Sequence, residues 1–453
     1  MTNSILPTST PTHNAAPGPY GYALLGVLPK LLQNPLQFLL TTADQYGDVV
    51  YLGLGALQTY LVTHPNHVKY VLQDNNSNYC KPWFVKQEHG NGVLTSEGSF
   101  WLRQRRLVQQ AFHHQRISAL VPIITNVAEA MLERWRSAAD RGTTLDIAAE
   151  MRRLSWEVIV KTMFGLDVSS KDNTAERVLA DRIWRKVRRS HVDRQLWTYF
   201  MPERLLVSRQ VNTAEADLYR LIYERRSSGE DTGDLLSMLL LAHDERTGEG
   251  MSDTQVYDEV MALFTAGHET TANTLTWIWY LLSMHPGIER QLHMELAVVL
   301  GGHAPNFEDL HTLTYTKMVI DEAMRLYPPI WMFPRTPVKD DEIGGYRIPA
   351  NSIVMLSPYV THHHPAFWSN PEGFDPERFA PELATDRPRF AYFPFGGGPR
   401  LCIGNSFGLM EMQVVLALVA QTYHLDLVPG HPIEPQARVT LRPRHGIPMT
   451  LRS

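Results

Sequence analysis

The stretch Phe395-Gly396-Gly397-Gly398-Pro399-Arg400-Leu401-Cys402-Ile403-Gly404 decides how this chain is read. It isolates one of only two cysteines in a glycine-rich turn, and the apolar-patterned segment from Asn405 to Tyr423 that follows reads as a helix. Cys402 therefore stands just before a helix N-terminus, where unpaired backbone N–H groups and the positive dipole end stabilise a thiolate. Glycines let backbone amides approach the sulfur, and Phe395 is placed to shield it from water. A dry, hydrogen-bonded, unpaired thiolate suits axial ligation of haem iron. The plainer alternative is a buried structural cysteine behind a Gly-rich loop.

Three further groupings lie upstream. Ser252-Asp253-Thr254-Gln255 is a capping-box pattern that opens a helix running to about Met284, before His285-Pro286-Gly287. At ~1.5 Å per residue it is roughly 50 Å long, enough to cross a whole domain. Inside it lies Ala266-Gly267-His268-Glu269-Thr270-Thr271. A mid-helix glycine and a threonine that bonds a carbonyl one turn back are expected to open a small groove. An acid beside an alcohol supplies a proton route, unless this is only a polar patch on a buried helix. Glu322 and Arg325 share one face of a helix that Pro328-Pro329 ends, and read by themselves they are a solvated ion pair. Trp101 and Arg105 stand one helical turn apart, so an indole N–H and a guanidinium can hold one carboxylate.

Together these residues resemble the cytochrome P450 family. The Cys turn matches that family's haem signature F-x-x-G-x-R-x-C-x-G, and the long helix carries its A-G-x-E-T-T element. E-x-x-R and W-x-x-x-R occur in the same order as in the family. The wording looks closest to its fatty-acid and xenobiotic hydroxylase branches. The resemblance implies a mainly α fold with small β sheets, triangular in outline, with haem b between the long helix and the Cys turn. It implies Cys402 as the iron ligand, Phe395 and Gly404 as part of the haem cradle, and Trp101, Arg105, Arg335 and Arg400 as propionate partners. Thr270 and Glu269 would manage oxygen protonation, and Ala266 would pack over the haem plane. Glu322, Arg325 and Arg378 would form a structural network behind the Cys segment. The implied reaction inserts one atom of dioxygen into an organic substrate, with electrons from a ferredoxin- or flavodoxin-type donor and its reductase. A peroxide-driven enzyme and a non-catalytic haem sensor or carrier are the rival readings.

Candidate substrate walls come from four distant segments. These are Ala262 and Leu263 on the face of Ala266; Ile330, Trp331, Met332 and Phe333 after the Pro-Pro stop; Val439 in an expected strand Val439-Thr440-Leu441; and Trp83, Phe84 and Val85. They are apolar and lack a charged anchor, which predicts a medium-to-large hydrophobic substrate; each alone is equally a core residue. Arg103, Arg106 and Arg116 form a basic cluster on or near the Trp101 helix, either a solvated face or a docking patch for an acidic electron donor. The run His362-His363-His364 does not converge on one face and reads as loop.

Apolar content of 44% against 20% charged residues excludes a disordered chain. A net charge of −5 argues against a nucleic-acid or anionic-membrane partner. Two cysteines cannot build a disulfide framework, which points to a reducing cytoplasm. Met1 to Pro17 reads as a flexible tail and residues 18–453 as one domain. The first apolar run, Tyr20 to Leu32, is interrupted by Gly21, Gly26 and Pro29 and falls short of the ~20 residues a membrane span needs, so no transmembrane anchor is expected. Strands are expected at Val49–Leu54 and Thr59–Thr63, paired around Gly55-Ala56, and again at Arg335–Leu356 and Arg438–Thr450.

Overall fold

A computed structural model describes residues 15–22, 24–88, 90–168, 178–182 and 212–453. Most of the expected tail lies outside the described residues. The described residues are mainly helical with four small sheets. The long helix spans Asp253–Met284 without interruption. Its start is the expected capping box: Gln255 N–H donates to Ser252 Oγ, and Ser252 N–H donates to Gln255 Oε1 at 2.9 Å. It stops at His285, whose following proline begins the next helix, Pro286–Leu300.

A helix buried on all sides is a core helix, and two of that kind organise the molecule. One is the long helix, which buries Phe264, Leu275, Trp277 and Ile278. The other is Asn405–Thr422, buried continuously from Met410 to Ala420. They join one apolar cluster that draws on residues from Leu107 to Leu451. Helix Ile147–Phe164 packs along the long helix so closely that a Cβ on Gly267 would stand 3.1 Å from Ile159 Cδ1. Gly267 therefore serves helix–helix approach on the side that faces Ile159.

The largest sheet has five strands in the order Val49–Leu54, Leu57–Val62, Ile353–Leu356, Phe333–Pro337 and Tyr79–Cys80. Its hairpin turns at Gly55 with φ +62°, a left-handed conformation that glycine adopts without strain. Near the C-terminal end, strands Pro435–Ala437 and Leu441–Pro443 form a second hairpin. Val439 sits in the bend between them, so the strand expected at 439–441 begins only at Leu441. No helix of the described residues is long and apolar enough to cross a membrane.

Candidate functional site

The Cys turn is built by close backbone approach. A Cβ on Gly398 would fall 1.9 Å from the Leu72 carbonyl oxygen, and one on Gly397 would fall 2.3 Å from the Phe390 ring. Gly398 also has φ +64°, so a side chain there is excluded twice over. Cys402 N–H donates to the Phe395 carbonyl at 3.0 Å and closes the loop. The next helix begins at Asn405 with Gly404 as its N-cap. Burial pushes the Cys402 thiol up, while the Gly404 N–H and the Arg105 charge favour the thiolate. The sulfur is enclosed by protein at longer range, yet Cys402 presents an open surface.

The long helix shows the matching feature. Ala266 is exposed although Ala262, Leu263 and Phe264 before it and His268 and Glu269 after it are buried. Thr270 Oγ1 donates to the Ala266 carbonyl at 2.7 Å, the one-turn-back bond expected of it. The two core helices approach at Gly408 and Thr271, where an added Cβ would lie 3.9 Å from the Thr271 hydroxyl. Both open positions stand within two turns of that approach.

Glu322 and Arg325 are fully buried and doubly bonded: Arg325 Nε to Glu322 Oε2 at 2.7 Å and Nη2 to Oε1 at 2.8 Å. Arg378 Nε reaches the same carboxylate at 3.2 Å. Burial raises the pKa of Glu322, and Arg325 opposes that shift. Arg325 also donates to the carbonyls of His362, Pro371 and Gly373. His362 in turn accepts the Phe393 N–H, and Tyr392 donates to Asp321. The network thus grips the chain immediately ahead of the Cys turn.

The sequence profile of the cytochrome P450 family matches residues 16–448. The chain belongs to the cytochrome P450 family. It is similar to cyclooctatin synthase of Streptomyces melanosporofaciens, 38% identical with 95% of this chain and 93% of that one covered. It is also similar to cyclooctat-9-en-7-ol 5-monooxygenase of the same organism, 36% identical over 92% and 91%. The crystal structure of the cytochrome P450DA haem domain superposes with a TM-score of 0.87 at 26% identity, covering 97% of each chain.

As a P450, the protein is a haem-thiolate monooxygenase: it uses haem with a cysteine thiolate as axial ligand, an organic substrate, dioxygen and an electron donor. The residues present suit such a group: an open thiol at Cys402, a small exposed alanine at Ala266 and an enclosed guanidinium at Arg335. Arg335 supplies the basic side: its guanidinium donates to the neighbouring Pro334 carbonyl, and burial together with the Arg400 charge pushes its pKa down to about 10. A buried guanidinium without a bonded carboxylate suits a propionate. A cavity of about 380 Å³ opens there, lined by Trp101, Arg335, Arg400 and Glu97.

The other basic residues have protein partners. Arg400 is paired with Glu97, donates to the Ser96 carbonyl and lies 3.7 Å over the Trp101 ring. Arg105 donates to the Leu401 carbonyl at 2.7 Å and braces the Cys turn. Glu97 escaped the sequence reading; its only signal was an acid at the N-cap of helix Gly98–Ala111. Arg442 escaped as well. It lies 3.8 Å from Glu269, beside bonds from Asn273 to Thr440 and from Trp277 to the Leu441 carbonyl. The C-terminal hairpin is thus seated along one face of the long helix.

The basic cluster is neutralised. Arg106 pairs with Asp244 at 2.7 Å, Arg116 with Asp231 at 2.8 Å, and Arg103 lies 3.7 Å from Glu249. The three histidines diverge: His363 meets the Tyr359 carbonyl, and His364 meets Asp48. Among the expected substrate walls, Trp331 is a core residue, 1% exposed, with its indole N–H on the Arg438 carbonyl. Ala262 is covered by the 90–93 loop, since a Cβ on Gly92 would meet it at 3.2 Å. Trp83 is 60% exposed and meets Phe84 edge-on, whereas Phe84 and Leu263 are buried. Ile330, Met332 and Val439 keep partly open surfaces.

Proposed function

We propose that Cys402 supplies the axial thiolate and that the enzyme oxygenates a medium-to-large hydrophobic substrate with a ring-built carbon skeleton. One observation carries this reading: Cys402 and Ala266 keep exposed surfaces near the place where the two core helices approach at Gly408 and Thr271. The bound haem supplies dioxygen activation, which thiolate donation favours. The relative named for cyclooctat-9-en-7-ol carries a ring, a double bond and one hydroxyl in its substrate's name, which supports a largely apolar ligand. The electron donor is a separate ferredoxin- or flavodoxin-type protein.

The protein's own residues bind, orient and move protons. Partly open Ile330, Met332 and Val439 offer apolar contact without a charge. Thr270 donates its hydroxyl proton to the Ala266 carbonyl, so Oγ1 keeps lone pairs free to accept a hydrogen bond. Glu269, 3.8 Å from Arg442, stands next in the chain as the carboxylate that takes up a proton and passes it on beside Thr270. The Thr270–Glu269 pair favours a dioxygen-using enzyme over a peroxide-driven one.

Thr270→Ala is expected to uncouple the cycle: reductant consumption continues while product per reductant falls and peroxide rises. Coupling equal to that of the parent would remove Thr270 from the proton route. In a homologous series of cyclic alcohols read by haem spin-state shift, affinity should rise about fourfold per added methylene, from ~0.8 kcal/mol per buried CH₂. It should change little with salt. Tightest binding of a small, charged ligand with steep salt dependence would reject the substrate class.

A further inference from the structure

Two histidines and a glutamate meet far from the Cys turn. Glu289 and His293 stand one turn apart on helix Pro286–Leu300 and so share a face. His424 opens strand His424–Leu427, two residues past the end of helix Asn405–Thr422. That helix, which starts just after Cys402, spans about 27 Å at 1.5 Å per residue, so the cluster and the thiolate lie at opposite ends of it.

Glu289 Oε1 lies 3.2 Å from His424 Nδ1 and 3.8 Å from His293 Nε2. The three ligand atoms are within 4.8 Å of one another, and the imidazole centroids are 4.4 Å apart. His293 Nε2 is buried and makes no hydrogen bond. Ligands of one tetrahedral ion at about 2.0–2.1 Å stand roughly 3.3 Å from each other. The three side chains need to close by no more than about 1.5 Å to reach that spacing.

We propose that Glu289, His293 and His424 bind one divalent transition-metal ion, zinc above all. Two imidazoles with one carboxylate match zinc and its imidazole-seeking neighbours, whereas magnesium and calcium take oxygen ligands. The fourth position opens toward a groove of about 980 Å³ lined by His293, Glu133, Thr422 and Tyr423, where water completes the shell. Arg452 pairs with His424 in the strand register, but its guanidinium is taken up by Asp426. The ion ties helix Pro286–Leu300 to the sheet of strands Leu145–Asp146, Pro448–Arg452 and His424–Leu427. It is separate from the haem chemistry and acts as a clasp between those elements.

The test uses untagged, haem-loaded full-length protein titrated with zinc chloride by calorimetry, with bound zinc counted by elemental analysis. The parent should take up one zinc that His293→Ala and His424→Ala each remove. Glu289→Gln should weaken it at least about tenfold. Zinc should raise the unfolding temperature of the parent and not of the histidine variants. An unchanged thiolate-type spectrum of the reduced carbonyl complex certifies that each variant is folded. Equal zinc stoichiometry and affinity in the parent and in the His293→Ala/His424→Ala double variant overturns the site, as does a parent with no saturable zinc binding.

Discussion

Cys402→His should abolish the red-shifted Soret band of the reduced, carbonyl-bound protein together with turnover. The band reports thiolate donation to iron, and imidazole is a neutral ligand that does not supply it. The substitution tests the ligand cleanly because Cys402 borders an opening, so a larger ring has room where a core position would not. The turn itself is held by backbone features that the substitution leaves in place: the Cys402 N–H on the Phe395 carbonyl and the tight approaches of Gly397 and Gly398. Cys80 provides the internal control. Its thiol lies 3.5 Å from the Thr336 carbonyl in the sheet, and Cys80→Ser should leave the band where it is. A red-shifted band that survives Cys402→His would sink the ligand assignment.

Arg325→Ala should prevent stable haem incorporation rather than slow a catalytic step. The guanidinium is fully buried and serves both oxygens of Glu322 and three backbone carbonyls. Removing it leaves Glu322 with Arg378 and the Asp375 N–H, and leaves the three carbonyls short of a donor. Breaking a buried ion pair by removing one partner costs about 3–5 kcal/mol. Against a total stability of about 5–15 kcal/mol, that is enough to loosen the segment ahead of the Cys turn. Arg325→Lys should rescue little, because an ammonium has three donors and cannot reproduce the planar fork. Haem content per chain and the denaturant midpoint are the readouts. Full haem loading with an unshifted midpoint in Arg325→Ala would show the network to be dispensable.

What could be read in the sequence was what is local in it. Ser252 and Gln255 announced the start of the long helix and His285-Pro286 its stop, because caps and proline act over a few residues. The one-turn spacings of Glu322 with Arg325, and of Ala266 with Thr270, carried over directly into bonds. What could not be read was which charge meets which across the fold. Arg106 finds Asp244 at a separation of 138 residues, and Arg400 finds Glu97 at 303. No spacing rule links such residues, so the acids that meet Arg103, Arg106 and Arg116 could not be named from the sequence. Gly267 has a role of the same long-range kind. Its missing side chain serves Ile159 on another helix, a demand invisible along its own. Trp331 looked like a pocket wall by composition, yet the cluster of Val27, Leu31 and Leu39 claims it.

The seating of the C-terminal hairpin on the long helix sets an order of events during synthesis. Asn273 must wait for Thr440, 167 residues later, and Trp277 for Leu441, 164 residues later. At about 5–20 residues per second a ribosome takes roughly 8–30 s to deliver them. For that interval the nascent long helix holds a buried-type amide and indole without their partners, and Glu269 lacks Arg442. The face of the long helix that carries Asn273 and Trp277 is therefore completed only when the 435–443 hairpin has been made, long after the helix itself.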